Sequence, residues 1–248
     1  MSSKTEKLIR LTKALRDKCK IYKEKILEEN SNVEFVYNPL DYAWKPHKTY
    51  LEMYGNLGAK TIIMGMNPGH GMGNTGIPFG CPEKVRTYLN IEKVEVKEPR
   101  RIHPKRKITG LECKKPEISG KRIWGLIEEI YGPPTVAFSE LFVLNHFPLW
   151  MFNNSGQNIT PDKLKPSSTN EIFEICNIYL TDIAHILNSE TVIGVGKYAH
   201  KMAKMAIDNL KNKNITVKEI PHPSPANPLA NKDKGKVWKK ISKEVIKK

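Results

Sequence analysis

The chain of 248 residues is 39% hydrophobic and 27% charged, which predicts one soluble domain over 1–248 and excludes a disordered or fibrous chain. No apolar run approaches the roughly 20 residues of a membrane helix, and the first ten residues lack the apolar segment of a secretory signal, so we expect no membrane partner. Lys and Arg number 41 against 26 Asp and Glu, giving a net charge of +15. This charge favours a polyanionic partner such as nucleic acid, although a Lys-rich surface can also simply keep a protein soluble.

The cysteines are too widely spaced for a common metal centre. There are four, with no CxxC pair among them, namely Cys19, Cys81, Cys113 and Cys176. This pattern excludes the usual spacing of a zinc site or an iron–sulfur cluster. We therefore predict reduced and mostly buried thiols that hold no metal, and we also expect no other cofactor.

The chain up to about residue 131 predicts two helices, one strand and one long loop. An amphipathic helix is predicted at about 5–29, because apolar side chains recur there at helical spacing. The apolar run 61–66 predicts a buried strand. Residues 97–118 mix Pro, Lys and Arg without periodicity and predict a loop, and residues 122–131 predict a helix that ends at Gly132-Pro133-Pro134.

The second half alternates strands with helices. Strands are predicted at about 136–144, at 191–195 and at 215–220. A helix is predicted at 170–188, and another begins near Lys197. Strands that alternate with helices indicate an α/β fold, with a mainly parallel sheet covered on both faces.

Three unusual polar segments follow predicted strands. They are GMNPGHGMGNTGIPFG at 65–80, LNHFPLW at 144–150 and HPSPANPLAN at 222–231. Ligands of open α/β sheets bind at the carboxyl ends of strands, where loops gather polar groups over a rigid floor. The three segments therefore outline one candidate pocket.

The first of these segments also contains a GxGxxG pattern at 71–76, which could indicate a dinucleotide site with Glu92 or Glu95 as the ribose-binding acid. A dinucleotide fingerprint follows its strand directly, whereas residues 67–70 intervene here. The stretch after residue 97 is rich in Pro and Lys, so it is also a poor candidate for the second strand of a dinucleotide-binding βαβ unit. The pattern therefore disfavours a dinucleotide site, and the absence of GxxxxGK[ST] disfavours an ATPase loop.

Seven segments between about residues 33 and 240 resemble one enzyme family in their order along the chain. They are YNPLDYAWKPH, GMNPG…TGIPFG, HPKR…GLEC…SG..IWG, FVLNHFPL, NITP, GVGKYA and HPSPANPLANK. This chain resembles the single-strand-selective monofunctional uracil-DNA glycosylases, within the wider uracil-DNA glycosylase superfamily. The resemblance implies a three-layer α/β/α sandwich with a central four-stranded parallel sheet, a metal-free site and a role in base-excision repair. We accordingly expect the nucleus in a eukaryote and the cytoplasm otherwise.

The resemblance also assigns roles to individual residues. Asn67 matches the amide that positions the attacking water, and His222 matches the residue that hydrogen-bonds the uracil carbonyl beside the glycosidic nitrogen. Asn145 resembles the amide that reads the base edge, and Phe79 the aromatic ring on which the flipped base stacks. Gly69 leaves room beside the substituted carbon of the base, which would admit 5-hydroxymethyluracil as well as uracil.

The remaining site residues belong to the same motifs. Met66 is predicted to bind substrate, and the DNA-binding residues are predicted to be Pro223, Ser224, Pro225, Ala226 and Asn227. Many family members have an arginine at the position of Ala226, which helps to plug the duplex, so we expect a weaker wedge here. The expected partner is DNA that contains uracil or an oxidised pyrimidine, bound by a monomer.

Each candidate residue also has an ordinary structural interpretation. Asn67 could be a turn residue, Asn145 a strand terminator, Phe79 a core residue and His222 a loop histidine. Their joint occurrence with the neighbouring motifs favours catalysis. The alternative function is a catalytically inactive nucleic-acid-binding protein that keeps the same fold.

Overall fold

The computed structural model describes residues 2–93, 95–210 and 214–247. Its helices are α1 (Lys4–Glu29), α2 (Pro39–Tyr42), α3 (Trp44–Tyr54), α4 (His70–Thr75), α5 (Pro82–Thr87), α6 (Ile118–Tyr131), α7 (Pro134–Glu140), α8 (Pro166–Leu187), α9 (Lys197–Asp208), α10 (Pro228–Asn231) and α11 (Lys236–Ile246). Its strands are β1 (Phe35–Tyr37), β2 (Thr61–Gly65), β3 (Leu141–Asn145), β4 (Trp150–Phe152), β5 (Asn158–Ile159), β6 (Thr191–Val195) and β7 (Thr216–Ile220). Single 3-10 turns occupy Gly110–Glu112, Pro161–Lys163 and Lys232–Gly235.

The central sheet has four strands in the order β3-β2-β6-β7, and all neighbours are parallel. The connection from β2 to β3 runs across the sheet in the direction opposite to those from β3 to β6 and from β6 to β7. Because such crossovers are right-handed, α6 and α7 lie on one face of the sheet, and α8 and α9 lie on the other. The predicted three-layer sandwich is confirmed.

The sheet is buried on both faces, as a parallel sheet requires. Ile62, Ile63 and Met64 of β2 are fully buried, as is Val143 of β3, and the neighbouring Phe142 is almost so. Each such side chain contributes roughly 1.5–3 kcal/mol to the free energy of folding through the burial of its apolar surface. The strand ends that carry the predicted site therefore stand on a closely packed floor.

A second, antiparallel sheet joins distant parts of the chain in the order β1-β4-β5. It encloses a small aromatic cluster in which the Trp150 and Phe152 rings lie 4.5 Å apart. Helix α4 packs on this cluster through Gly73, where an added Cβ would lie 2.1 Å from the Trp150 ring. Gly76 ends α4 with a φ of 72°. These contacts account for two glycines of the GxGxxG pattern by packing and turn geometry.

One predicted strand is partly wrong. Residues 136–140 belong to helix α7, and the strand begins only at Leu141. Pro134 stands at the first helical position, which suits a helix start, and Val136 is 48% exposed instead of facing the sheet. The apolar run therefore combines the buried side of a helical turn with a short strand.

The other predicted elements agree closely with the structure. Helix α1 lies within one residue of the predicted 5–29, and the loop at 97–118 holds one 3-10 turn. Helix α6 begins four residues before the predicted 122, because the Glu117 side chain accepts from Gly120 N and caps it. All four cysteines are free, and only Cys113 is partly exposed. In the described ranges, no helix is long and apolar enough to span a membrane.

Candidate active site

A cleft of about 510 Å³ opens where β2, β3 and β7 end. The segments 65–80, 144–150 and 222–231 all contribute to it, as the sequence predicts. Most of the predicted site residues line it, namely Met66, Asn67, Gly69, Phe79, Asn145, His222, Ser224, Ala226 and Asn227. Pro223 and Pro225 do not, and their carbonyl oxygens instead accept hydrogen bonds from Arg122 and Asn231.

One side of the cleft, here called the sheet wall, consists of residues 65–67 and Asn145. Gly65 and Asn145 are paired in the register of β2 and β3. Backbone pairing continues beyond both strands, since His146 N donates to Gly65 O at 2.9 Å and Phe147 N donates to Met66 O at 2.8 Å. The backbone that carries the two candidate amides is therefore held by an extension of the sheet.

Asn145 and Phe79 converge above Gly65. A Cβ added to Gly65 would lie 2.3 Å from Asn145 Oδ1 and 2.7 Å from Phe79 Cζ. The Asn145 Nδ2 group donates to Met72 Sδ at 3.1 Å, which is a weak acceptor. Only glycine at position 65 allows the amide and the ring to lie against the end of β2.

Phe79 has a backbone conformation that is rare for a residue with a side chain. Its φ is 51°, in the left-handed region. Its carbonyl oxygen accepts hydrogen bonds from Cys81 N at 2.7 Å and from Trp124 Nε1 at 3.1 Å. Such strain, on the order of 1–3 kcal/mol, persists where the surroundings enforce it and is concentrated at functional sites. The turn thus fixes the direction of the Phe79 ring.

The Asn67 amide is held through its nitrogen. Its Nδ2 group donates to Pro68 O at 3.2 Å and to Leu149 O at 3.4 Å. No hydrogen bond to Asn67 Oδ1 comes from the residues that the structure describes. Because Asn67 lines the cleft, this oxygen can accept a hydrogen bond from a water molecule there.

The opposite side of the cleft, the loop wall, consists of residues 222–227 after β7. His222 Nδ1 accepts a hydrogen bond from Ser224 N at 3.1 Å, and Asn227 Nδ2 donates to His222 O at 2.8 Å. Burial lowers the pKa of His222 below its usual value, which favours the neutral imidazole. With Nδ1 accepting, the ring proton stands on Nε2, so His222 can donate a hydrogen bond from that atom.

Sequence reasoning missed several residues that line the cleft. They are Pro68, Met72, Glu117, Ser119, Asn158 and Thr160. Glu117 stands out, since its Oε2 accepts a hydrogen bond from Gly71 N at 2.8 Å and its Oε1 accepts from Gly120 N at 3.4 Å. The segments with SG and NITP were sequence signals for Ser119, Asn158 and Thr160, but no role followed from them.

His70, next to Gly69 at the start of α4, lies beside a thiol. Its Nε2 is 3.3 Å from Cys113 Sγ, and burial lowers the pKa of His70 to about 4. Across the described ranges, no group of three or more His, Cys, Asp or Glu is arranged to hold a metal ion.

The chain is similar to known uracil DNA glycosylases. The model of the uracil DNA glycosylase superfamily matches residues 52–244. A single-strand selective monofunctional uracil DNA glycosylase of Bos taurus is 38% identical over 219 residues, which are 88% of this chain and 78% of the relative. Its counterpart from Rattus norvegicus is 38% identical over 213 residues, covering 86% of this chain and 74% of that protein.

The fold has a counterpart among solved structures. The crystal structure of Pedobacter heparinus SMUG2 matches with a TM-score of 0.63 at 15% identity, over 91% of this chain and 97% of that chain. At this identity the match concerns the fold alone. The superfamily match and the 38% identity to the mammalian proteins show that the chain belongs to the single-strand selective monofunctional uracil-DNA glycosylase family of the uracil-DNA glycosylase superfamily.

Proposed function

We propose that the protein is a monofunctional glycosylase that hydrolyses the N-glycosidic bond of uracil in DNA and leaves an abasic site. One observation carries this proposal. Two amides, an aromatic ring and a neutral imidazole, contributed by Asn67, Asn145, Phe79 and His222, meet in one cleft of about 510 Å³. These are the groups that glycosidic hydrolysis of a flat, neutral base requires.

Cleavage of the bond leaves positive charge on the sugar and negative charge on the departing base. His222 Nε2 donates a hydrogen bond to the carbonyl beside the glycosidic nitrogen, where the negative charge develops. One such donor contributes about 3 kcal/mol to the stabilisation of the transition state. Asn67 Oδ1 accepts a hydrogen bond from the attacking water and orients it, since a neutral amide is not a general base.

Base recognition depends on the sheet wall. The Asn145 Oδ1 accepts from the uracil ring NH, and its Nδ2 donates to the other carbonyl. Cytosine presents the reverse pattern, and each mispaired group in a dry pocket costs roughly 1–3 kcal/mol. The base stacks on the Phe79 ring, which contributes about 1–3 kcal/mol.

The cleft requires a base that has left its stack. Extrusion costs a few kcal/mol in a duplex and less in a single strand, and Ala226 at the exposed rim is too small to fill the gap. We therefore infer a preference for single-stranded substrate. The space beside Gly69, where an added Cβ would have Glu117 Oε2 at 3.9 Å, admits 5-hydroxymethyluracil as a second substrate.

The DNA partner is consistent with the charge of the chain. A net charge of +15 predicts that affinity for undamaged DNA falls steeply with salt, because Lys and Arg release counterions from phosphates. The cleft is completed by residues of one chain, so a monomer suffices for the reaction. A nuclear location in a eukaryote, or a cytoplasmic one otherwise, follows from a DNA substrate.

An end-labelled single-stranded oligonucleotide with one uracil tests the proposal. After incubation with the protein and treatment with alkali, we expect strand cleavage at the uracil and none in matched oligonucleotides with cytosine or thymine there. Binding without cleavage would instead support the alternative, an inactive nucleic-acid-binding protein. Binding is measured in the same samples by fluorescence anisotropy.

A further inference from the structure

We propose that Glu117 is a specificity-determining residue, whose carboxylate accepts a hydrogen bond from a hydroxyl group on the C5 substituent of the bound base and repels an anionic substituent. The inference rests on the proposed function, because it concerns the base in the same cleft. It names the residue that distinguishes 5-hydroxymethyluracil from other 5-substituted uracils. Glu117 has no part in the proposed hydrolysis itself.

The Glu117 carboxylate is held in a fixed position at the cleft. It caps the first turn of α6 by accepting from Gly120 N, and it accepts from Gly71 N at 2.8 Å. Glu117 also lines the cleft. A carboxylate has about four acceptor positions, so these two bonds leave capacity for a further donor. The start of a helix of 14 residues stabilises the negative charge.

The carboxylate borders the free space beside Gly69. Apart from its chain neighbours, a Cβ built on Gly69 would find Glu117 Oε2 at 3.9 Å and no other atom within 4 Å among the described residues. In uracil, C5 lies across the ring from the C2 carbonyl. A base whose C2 carbonyl faces His222 on the loop wall therefore directs C5 away from that wall, and the proposed function puts C5 in the space beside Gly69.

The chemistry of the substituent then decides the interaction. A hydroxymethyl group can donate to Glu117 Oε2 and gains a charge-assisted hydrogen bond. A methyl group has no donor to offer. A carboxylate group would bring a second negative charge next to Glu117, and such a pair in a partly desolvated cleft is repulsive. This single residue therefore predicts that 5-hydroxymethyluracil is preferred to 5-carboxyuracil.

The test uses three single-stranded oligonucleotides that carry uracil, 5-hydroxymethyluracil or 5-carboxyuracil at the same position. Single-turnover release rates are measured for the unmodified protein and Glu117→Gln, each relative to uracil release by the same protein. Glutamine keeps a carbonyl acceptor for Gly71 N but removes the charge. We expect the 5-hydroxymethyluracil ratio to fall about fivefold and the 5-carboxyuracil ratio to rise about tenfold.

Opposite changes of the two ratios cannot result from general damage to the protein. The matched control is Glu112→Gln, which alters an exposed glutamate of the same loop that pairs with Arg86, and both ratios should stay at their original values. Unchanged ratios in Glu117→Gln, with uracil release intact, would overturn the inference. Absence of uracil release by the unmodified protein would instead contradict the proposed function.

A second variant covers the case in which Glu117→Gln fails to fold. Glu117→Asp keeps the charge but shortens the side chain by one methylene group. It should still exclude 5-carboxyuracil, while the 5-hydroxymethyluracil ratio falls because the oxygen is farther from the hydroxyl. Efficient release of 5-carboxyuracil by Glu117→Asp would overturn the inference.

Discussion

The two walls of the cleft are held in different ways. On the sheet wall, backbone hydrogen bonds hold the cleft residues in place, since the β2–β3 ladder continues through His146 N and Phe147 N. On the loop wall, hydrogen bonds from side chains hold the backbone in place. Arg122 Nη1 donates to Pro223 O at 2.6 Å, and Trp238 Nε1 donates at 2.6 Å to the carbonyl oxygen of Pro221, the residue just before this wall.

This difference separates recognition from the stabilisation of charge. The amides proposed to face the base and the water stand on the wall that backbone hydrogen bonds hold, where small displacements would weaken their hydrogen bonds to the substrate. The imidazole stands on the wall that depends on a few side-chain contacts. Variants of the sheet wall should therefore act through geometry, and variants of the loop wall through the position and protonation of His222.

The largest effect is expected when either chemical group is removed. Asn67→Ala and His222→Ala should each slow uracil release by at least about a hundredfold and leave DNA binding largely intact, because both groups act mainly in the transition state. Single-turnover release and anisotropy titrations measure the two properties. His185→Ala changes an exposed histidine near the end of α8 and serves as the control. Normal release by either variant would remove that residue from the mechanism.

The next effect concerns the geometry of the sheet wall. Gly65→Ala would place a methyl group 2.3 Å from Asn145 Oδ1, so the amide and the Phe79 ring must move. We expect uracil release to fall about thirtyfold, as for a displacement of about 1 Å at a catalytic site. Gly125→Ala is the matched control, because an added Cβ there meets nothing within 4 Å in the described ranges apart from its chain neighbours and the adjacent backbone of its own helix. Equal activity of the two variants would show that the sheet wall tolerates displacement.

On the loop wall, the matching change is Arg122→Ala, which removes the donor to Pro223 O. We expect about a tenfold loss of uracil release, since a buried carbonyl loses its charged partner and His222 loses part of its support. Arg122→Lys should recover part of this loss. Arg86→Ala alters an exposed arginine that pairs with Glu112 and is the control. If Arg122→Ala matches that control, the loop wall is held by other contacts.

The same difference explains what the sequence could predict. Asn67 and His222 lie two residues after the ends of β2 and β7, and Asn145 is the last residue of β3. The carboxyl ends of parallel strands meet at one edge of the sheet, so the convergence of these three residues was predictable. The position of Glu117 in the cleft was not predictable, because its contact with Gly71 joins segments that are 46 residues apart in the chain. The role of Gly65 likewise depends on two side chains that arrive from elsewhere in the chain.

The errors in the predicted fold have a similar origin. Strands β1 and β4 have three residues each and pair across more than a hundred positions, which leaves no local periodicity to detect. The run at 136–144 is apolar enough for a strand, but Pro134 starts a helix there. Local patterns identify long elements, whereas short ones are decided by tertiary contacts.

The pH dependence of uracil release tests the loop wall separately, because it reports the protonation of His222, and the expected effect is smaller than that of the variants above. Burial lowers the pKa of His222 below its usual value of 6.5, so the neutral form that donates from Nε2 persists below that pH. Protonation would direct a second proton, on Nδ1, at Ser224 N. Uracil release at pH 6.5 should therefore stay above about half of its value at pH 8, and should fall on further acidification. An acid limb centred above pH 6.5 would contradict this prediction.

Folding must be followed in the same pH series. Burial lowers the pKa values of His47, His70 and His146 to about 4. A histidine with a lowered pKa stabilises the folded state above its unfolded pKa, and this contribution is lost as the pH falls through the folded pKa. Circular dichroism at each pH separates loss of the fold from protonation of His222.

The smallest effect is expected at the rim of the loop wall. Ala226 is exposed and lines the cleft, and it cannot fill the gap that an extruded nucleotide leaves in a paired helix. Much of the cost of extrusion from a duplex, a few kcal/mol, therefore stays uncompensated. We expect release to be fastest from a single strand, slower from a U·G mismatch and slowest from a U·A pair.

Ala226→Arg should raise release from the two paired substrates a few-fold more than release from the single strand, because the long side chain can occupy the vacated space. The added positive charge also attracts phosphates, but it should help all three substrates alike, so the informative quantity is the ratio of their rates. Ala226→Leu fills space without charge and should change that ratio in the same direction. If neither variant changes it, or if the unmodified protein already prefers the U·A duplex, the wedge comes from another loop, and the loop wall serves only to hold His222.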